Sequence, residues 1–237
     1  MAKSPAVRLA ANLWRIPTAP ASLVNSFAFV EDDGSVTLVD TGVKQAPPRI
    51  VAGLAALGKH PRDVQRIVLT HAHLDHAGGA AEMARQTGAP VSLHEAEHPW
   101  AEAGEVLAQP KETSLLGRLL MRAGKQTFTP FEPGSALRDG EVLPVAGGLR
   151  VVHTPGHSPG HVSLLHEPSR VLVTGDAIFN VRGLRWSPKS FCADFAMSKQ
   201  TAHRLGELEY DVAAFTHGPE VRDNAREQVR GFLRALD

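Results

Sequence analysis

The stretch that most limits what this chain can become is Thr70-His71-Ala72-His73-Leu74-Asp75-His76-Ala77-Gly78-Gly79, where three histidines and an aspartate fall within six positions. Residues 66–70 before it are apolar and rich in β-branched side chains, which suits a buried strand. Residues 77–88 after it are rich in alanine, with Glu82, Met83 and Arg85, which suits a helix. The cluster therefore occupies a strand-to-helix turn, the place where α/β proteins commonly bind ligands. Neutral imidazoles and carboxylates are good ligands for zinc and similar metals. A regular strand or helix could not aim four such groups at one point, but an irregular turn can. A single histidine in a turn is usually a solvated surface residue, and the chain has 12 of them. Four ligand-type residues packed directly behind a buried strand are too concentrated for that explanation.

The same placement recurs along the chain. The strand at 149–152 runs into His153-Thr154-Pro155-Gly156-His157-Ser158-Pro159-Gly160-His161, which proline and glycine break into a loop. The strand at 170–173 delivers Thr174-Gly175-Asp176, and the strand at 212–215 delivers Thr216-His217-Gly218. The strand at 36–39 ends in Asp40. Apolar strands that repeatedly hand over a His or Asp at one end argue for a single site at one sheet edge.

Further strands are expected at 7–16, 24–30, 91–94, 142–145 and 161–166. Helices are expected at 47–57 and at 198–209, with Ser198 as N-cap. A last helix is expected at 221–236, where Val221, Ala225, Val229, Leu233 and Leu236 recur at helical spacing. Residues 95–135 interrupt this alternation. Leu115, Leu116, Leu119, Leu120 and Ala123 form a helical stripe there, read as a helical insertion that is either a lid beside the site or a cover for the core. Leu116 and Leu119 are its candidate substrate contacts. No linker, repeat or low-complexity run divides the chain, so one domain over 1–237 is expected.

Composition narrows the partners. Lys plus Arg and Asp plus Glu number 25 each. The zero formal charge gives no electrostatic reason to expect nucleic acid or an anionic membrane. Cys192 is the single cysteine, so no disulfide framework is expected. The first 25 residues hold no apolar run long enough for a signal peptide or a membrane span. A soluble cytoplasmic protein is the default expectation. Its oligomeric state is left open, a homodimer included.

Taken together, Val39-Asp40-Thr41-Gly42, the His71–His76 cluster, Thr154-Pro155-Gly156-His157, Gly175-Asp176 and His217-Gly218 resemble, in order, the motifs of the metallo-β-lactamase-fold hydrolases. The resemblance implies an α/β fold of the αββα sandwich type, two mixed β-sheets flanked by helices, with the metals at one edge of the sheets. It implies two divalent metal ions, zinc by preference with iron or manganese as alternatives. His71, His73 and His157 would hold one, Asp75, His76 and His217 the other, and Asp176 would bridge them. Asp40 would stand behind the ligands and orient them. In the loop at 153–161 the family pattern selects His157. His153 is then expected to be structural, and His161 to lie at the core edge or in the substrate cleft. His94 and His98 are expected on the surface.

Two metals about 3.5–4 Å apart lower the pKa of a shared water toward neutrality, which makes hydrolysis the expected reaction. Asp75 could assist proton transfer, although as a ligand it would be a weak base. The chain runs 20 residues past His217, so the added C-terminal domain of hydroxyacylglutathione hydrolases is not expected. A lactonase-like or general ester or thioester hydrolase is the preferred reading, with a β-lactam or phosphodiester hydrolase of the same fold as the alternative. A flavodiiron relative would typically show Glu in place of His73, and a degenerate binding module would usually have lost ligands.

Overall fold

The computed structural model describes residues 4–106 and 127–235. The chain begins with the hairpin β1 (Val7–Ala10) and β2 (Leu13–Pro17), continued antiparallel by β3 (Asn25–Val30) and β4 (Val36–Val39). Helix α1 (Pro47–Ala56) crosses over to β5 (Val64–Val68), which lies parallel to β4. Helices α2 (Leu74–Ala77) and α3 (Ala80–Thr87) lead to β6 (Val91–His94), again parallel. After α4 (His98–Ala103), β7 (Ala136–Leu137) completes a mixed sheet in the order β1-β2-β3-β4-β5-β6-β7.

A second mixed sheet follows. It comprises β8 (Val142–Leu143), β9 (Leu149–His153), β10 (Val162–His166) and β11 (Val171–Val173). A small hairpin of β12 (Phe179–Asn180) and β13 (Leu184–Arg185) and helix α5 (Phe195–Glu207) intervene. Then β14 (Val212–Ala214) pairs parallel with β11, in the order β14-β11-β10-β9-β8, and α6 (Ala225–Ala235) ends the described chain.

Alternation along the strands builds the layers. Phe27, Phe29, Val39 and Val68 of the first sheet meet Leu149, Val151, Val162, Leu164 and Val173 of the second in a core between the sheets. Between Phe27 and Phe29, Ala28 turns the other way, to the layer where Ile50 and Leu54 of α1 and Met83 of α3 cover the first sheet. Likewise Val152, Leu165 and Leu172 face Ala202 and Leu205 of α5 and Val229 and Leu233 of α6. At roughly 1.5–3 kcal/mol per fully buried large apolar side chain, these three interfaces dominate the favourable side of folding. The order helix, sheet, sheet, helix is the expected sandwich.

Several boundaries differ from the sequence reading. The single strand expected at 7–16 is the hairpin β1–β2, with Arg8 opposite Trp14. The helix expected at 77–88 is α3, which starts at Ala80; α2 precedes it inside the ligand cluster, and the chain passes between them at Gly79, where a Cβ would run into the Thr41 carbonyl oxygen. Helix α5 starts one turn before Ser198, since the Asp194 side chain accepts the Met197 N–H at 3.0 Å and is the cap. The last helix starts at Ala225, not 221: Val221 pairs with Ala213, and Asn224 at φ 49° reverses the chain before the helix. The helix expected around Leu115, Leu116, Leu119 and Leu120 lies outside the described residues.

The carboxyl ends of β4, β5, β11 and β14 and the loop after β9 gather at one edge of the sandwich. Two backbone hydrogen bonds stitch the sheets there: Val162 donates to Thr70 at 2.9 Å, and Asn25 to Thr216 at 2.8 Å.

Candidate metal centre

Each ligand-type side chain is placed by a strand end. After β5 the backbone runs through Thr70, His71, Ala72 and His73 and then coils into α2, which carries Asp75 and His76. The Thr41 N–H and hydroxyl both bind the His76 carbonyl, at 2.8 and 2.7 Å, and hold that turn down. His157 comes from the 154–160 loop, Asp176 from a single helical turn at Gly175–Ala177, and His217 from the exit of β14. The structure brings all seven together.

Two sets converge, joined by Asp176. In the first, His157 Nε2 lies 3.1 Å from His71 Nε2 and 2.8 Å from His73 Nδ1. In the second, Asp75, His76 and His217 gather, with His217 Nε2 3.3 Å from Asp75 Oδ2 and His76 Nε2 3.7 Å from Asp75 Oδ1. Asp176 stands between them. Its Oδ2 is 3.3 Å from His157 Nε2 and 4.0 Å from His71 Nε2. Its Oδ1 is 3.2 Å from His76 Nε2 and 3.3 Å from His217 Nε2.

These groups fit a metal better than they fit one another. Two nitrogens each about 2.05 Å from a tetrahedral zinc lie roughly 3.3 Å apart, near the separations in the first set. Three imidazole nitrogens that face one another cannot all be satisfied by protons. His76 Nε2 and His217 Nε2 are buried without a hydrogen bond of adequate geometry, although carboxylate oxygens lie close by.

The opposite ring nitrogens are held. The Asp40 carboxylate only accepts, so His76 Nδ1, at 2.9 Å from it, carries its hydrogen there and leaves Nε2 facing the centre. Asp40, at φ 57°, also accepts the Thr70 N–H at 2.8 Å and its hydroxyl at 2.9 Å. With that hydroxyl committed, its oxygen takes His71 Nδ1–H at 3.1 Å. His157 Nδ1 is 3.0 Å from Ser187 Oγ, and His217 Nδ1 donates to the Leu23 carbonyl. His73 stacks on Trp100, with ring centroids 5.8 Å apart. Ser187, Trp100 and Leu23 were absent from the sequence reading.

Electrostatics divide the centre. Burial pushes His71 and His157 well below the ordinary imidazole value and His73 down to about 4, so all three present lone pairs at neutral pH. Burial acts the same way on His76 and His217. There, however, Asp176 and its fellow carboxylates outweigh it and raise His76 well above the usual value and His217 to about 10. Burial opposes the charge on Asp176, yet His217, His76 and His157 together hold its carboxyl well below the usual range.

The remaining histidines separate clearly. His161 is not a cleft residue: it is fully buried, its Nδ1 faces the Thr154 carbonyl at 3.0 Å and its Nε2 accepts the Asp176 N–H at 2.7 Å. Both ring nitrogens are thus used, and neither reaches a substrate. His153 stacks on His94 at 4.2 Å between centroids, and its Nε2 lies 3.1 Å from the Pro159 carbonyl of the loop that carries His157. His94 and His98 are half-buried rather than free on the surface, and His98 Nε2 lies 3.3 Å from the Leu93 carbonyl. Leu116 and Leu119 are outside the described residues.

Residues 20–217 match the family described as the Metallo-beta-lactamase superfamily. The chain is 28% identical over 218 residues to the "Probable metallo-hydrolase YflN" of Bacillus subtilis (strain 168), covering 85% of this chain and 83% of that one. It is 35% identical over 178 residues to an N-acyl homoserine lactonase of Bacillus cereus, covering 73% and 63%. It is 30% identical over 176 residues to the acyl-coenzyme A thioesterase MBLAC2 of Gallus gallus, covering 70% and 60%. A solved metallo-beta-lactamase family protein from Thermus thermophilus superposes with a TM-score of 0.73 at 28% identity, covering 96% of this chain and 80% of that one. On its matching residues, its sandwich and its ligand-bearing edge, the chain belongs to the metallo-β-lactamase superfamily.

Proposed function

We propose that this metal-dependent hydrolase holds two divalent cations and cleaves a carboxylic ester, lactone or thioester of a small molecule. The observation that carries the reading is Asp176, which turns one oxygen toward His157 and the other toward His76 and His217. A carboxylate placed in this way would be able to serve two cations, one from each side. The imidazole-rich donor set favours zinc. Two such cations supply Lewis acidity for a substrate oxygen and an acidified water as nucleophile.

The chain's own groups do the rest. His71, His73 and His157 offer neutral lone pairs, while Asp75 and Asp176 bring negative charge to the centre. Asp40 and Thr70 keep the rings aimed inward. Asp75 has about a third of its side chain exposed and is the acidic ligand that faces outward. Its carboxyl is held below the usual range, because the nearby His76 and His217 outweigh its burial, so it is a ligand first and a weak base second. Cys192 Sγ is 3.7 Å from His157 Nδ1, but burial pushes its thiol up to about 11, so it does not compete as a nucleophile.

The substrate class is supported by two relatives whose names specify a lactone and a thioester, both attacked at a carbonyl carbon. The test is metal analysis of protein purified without chelator, together with a panel of aryl esters, acyl lactones of several chain lengths, acyl thioesters, a β-lactam and a phosphodiester. Two metals per chain with turnover in the first three classes are expected. A reproducible single metal after supplementation would overturn the two-metal reading. Turnover confined to the β-lactam or the phosphodiester would overturn the substrate class.

A further inference from the structure

Glu97 is fully buried, and both of its carboxylate oxygens are committed. Oε2 accepts the Ala72 N–H at 2.9 Å, and Oε1 accepts the Gly160 N–H at 2.7 Å. Ala72 lies between His71 and His73, and Gly160 closes the loop that carries His157. One side chain therefore joins the two segments that supply the whole three-histidine set. Asp176 and His217 are held by different groups: Thr216 and His161 for the first, the Leu23 carbonyl for the second.

Two further observations fit this arrangement. A Cβ at Gly160 would stand 2.6 Å from Glu97 Cγ and 3.1 Å from His94 Cβ, so the loop can approach this carboxylate only because residue 160 has no side chain. Trp100, from α4, which begins directly after Glu97, stacks on the His73 ring at an interplanar angle of 11°. The described start of the 95–135 segment is thus a brace against the three-histidine set.

We propose that Glu97 is the positioning residue of that set, a carboxylate clamp between the His71–His73 turn and the His157 loop that fixes the geometry in which these three nitrogens receive a metal. Beside the Ser158 hydroxyl, its two backbone partners are both N–H donors, and only a group with two acceptor oxygens satisfies them together. Glutamine has the same shape but turns an amide donor toward one of the N–H groups, so one of the two segments is released.

The inference rests on the two-metal reading only in stating which affinity changes. Zinc affinities are measured on metal-free parent and Glu97→Gln proteins by competition with a chromophoric chelator. The three-histidine affinity is identified as the one lost in His157→Ala. Glu97→Gln is expected to weaken it by about 10–100-fold, as for other groups that orient metal ligands, and to leave the affinity lost in His217→Ala unchanged. Equal weakening of both affinities, or of neither, overturns the proposal. Gly160→Ala keeps Glu97 but displaces it, and the same selective loss is expected. Unchanged zinc binding in a folded Gly160→Ala protein overturns the clamp even if Glu97→Gln fails to fold. If the parent binds only one zinc, the two-metal reading falls, while Glu97 is still judged on that single affinity.

Discussion

The two halves of the candidate metal centre are built from similar side chains yet favour different protonation states. His71, His73 and His157 sit where burial dominates, and they are neutral before any metal arrives. His76 and His217 are also enclosed, but they face Asp75, Asp176 and, for His76, Asp40, and these carboxylates raise the pKa of both rings, that of His217 to about 10. The first half is a set of neutral imidazoles. The second is a carboxylate-rich cluster that favours the protonated form of its imidazoles. Carboxylate count, not burial, separates them, and the cost of loading a metal differs accordingly: the second half must release protons, the first need not.

The largest effect that would test this comparison comes from the group the halves share. Asp176→Ala should weaken both metals by more than the roughly 100-fold typical of losing an orienting partner, and should remove most activity. Normal metal content with retained turnover would show that the carboxylate bridges nothing. The next test separates the halves. His157→Ala should empty one position and His217→Ala the other, each leaving about one metal per chain by elemental analysis. Loss of both metals from either variant would mean that the halves act as one site.

Acidity sharpens the contrast. A histidine with raised pKa holds its proton at neutral pH and yields it as pH rises, so metal affinity of the second half should climb toward pH 10, by about tenfold per pH unit for each proton displaced. The first half, with His73 near 4, should be flat between pH 6 and 8. Calorimetric titrations in buffers of different ionisation enthalpy count the released protons, and equal proton release from both halves would erase the distinction. The smallest effect belongs to His153→Ala, outside both halves. Its stability should shift by no more than about 0.5 kcal/mol, with metal content unchanged.

The groups that converge at the sheet edge were legible as candidates because each follows an apolar strand and each has the chemistry of a ligand; the choice of His157 within its loop came from the family resemblance. The groups behind them were not legible. Glu97 acquires its role from Ala72 and Gly160, 25 and 63 positions away. Ser187 acquires its role from His157, 30 positions away. Buried acids and serines carry no periodic signal, so only the folded chain reveals them. The short β7, β12 and β13 have two residues each, too few for alternation to show. His161 stayed open between core edge and cleft for a related reason: a histidine at a strand start is as compatible with a cleft as with bracing the Asp176 backbone, and the choice depends on the Asp176 N–H that reaches it.

The stitched edge between the sheets has a kinetic consequence. His157 meets His71 across 86 positions, and Asn25 meets the Phe215 carbonyl across 190. Contacts so distant along the chain carry a large loop-closure cost and are expected to form late in folding, after each sheet has begun to assemble. A cation that binds only this completed edge stabilises the native state and little that precedes it. Zinc should then slow the unfolding arm of a denaturant chevron and leave the folding arm nearly unmoved. Removing it would shorten the lifetime of folded molecules without delaying the formation of new ones.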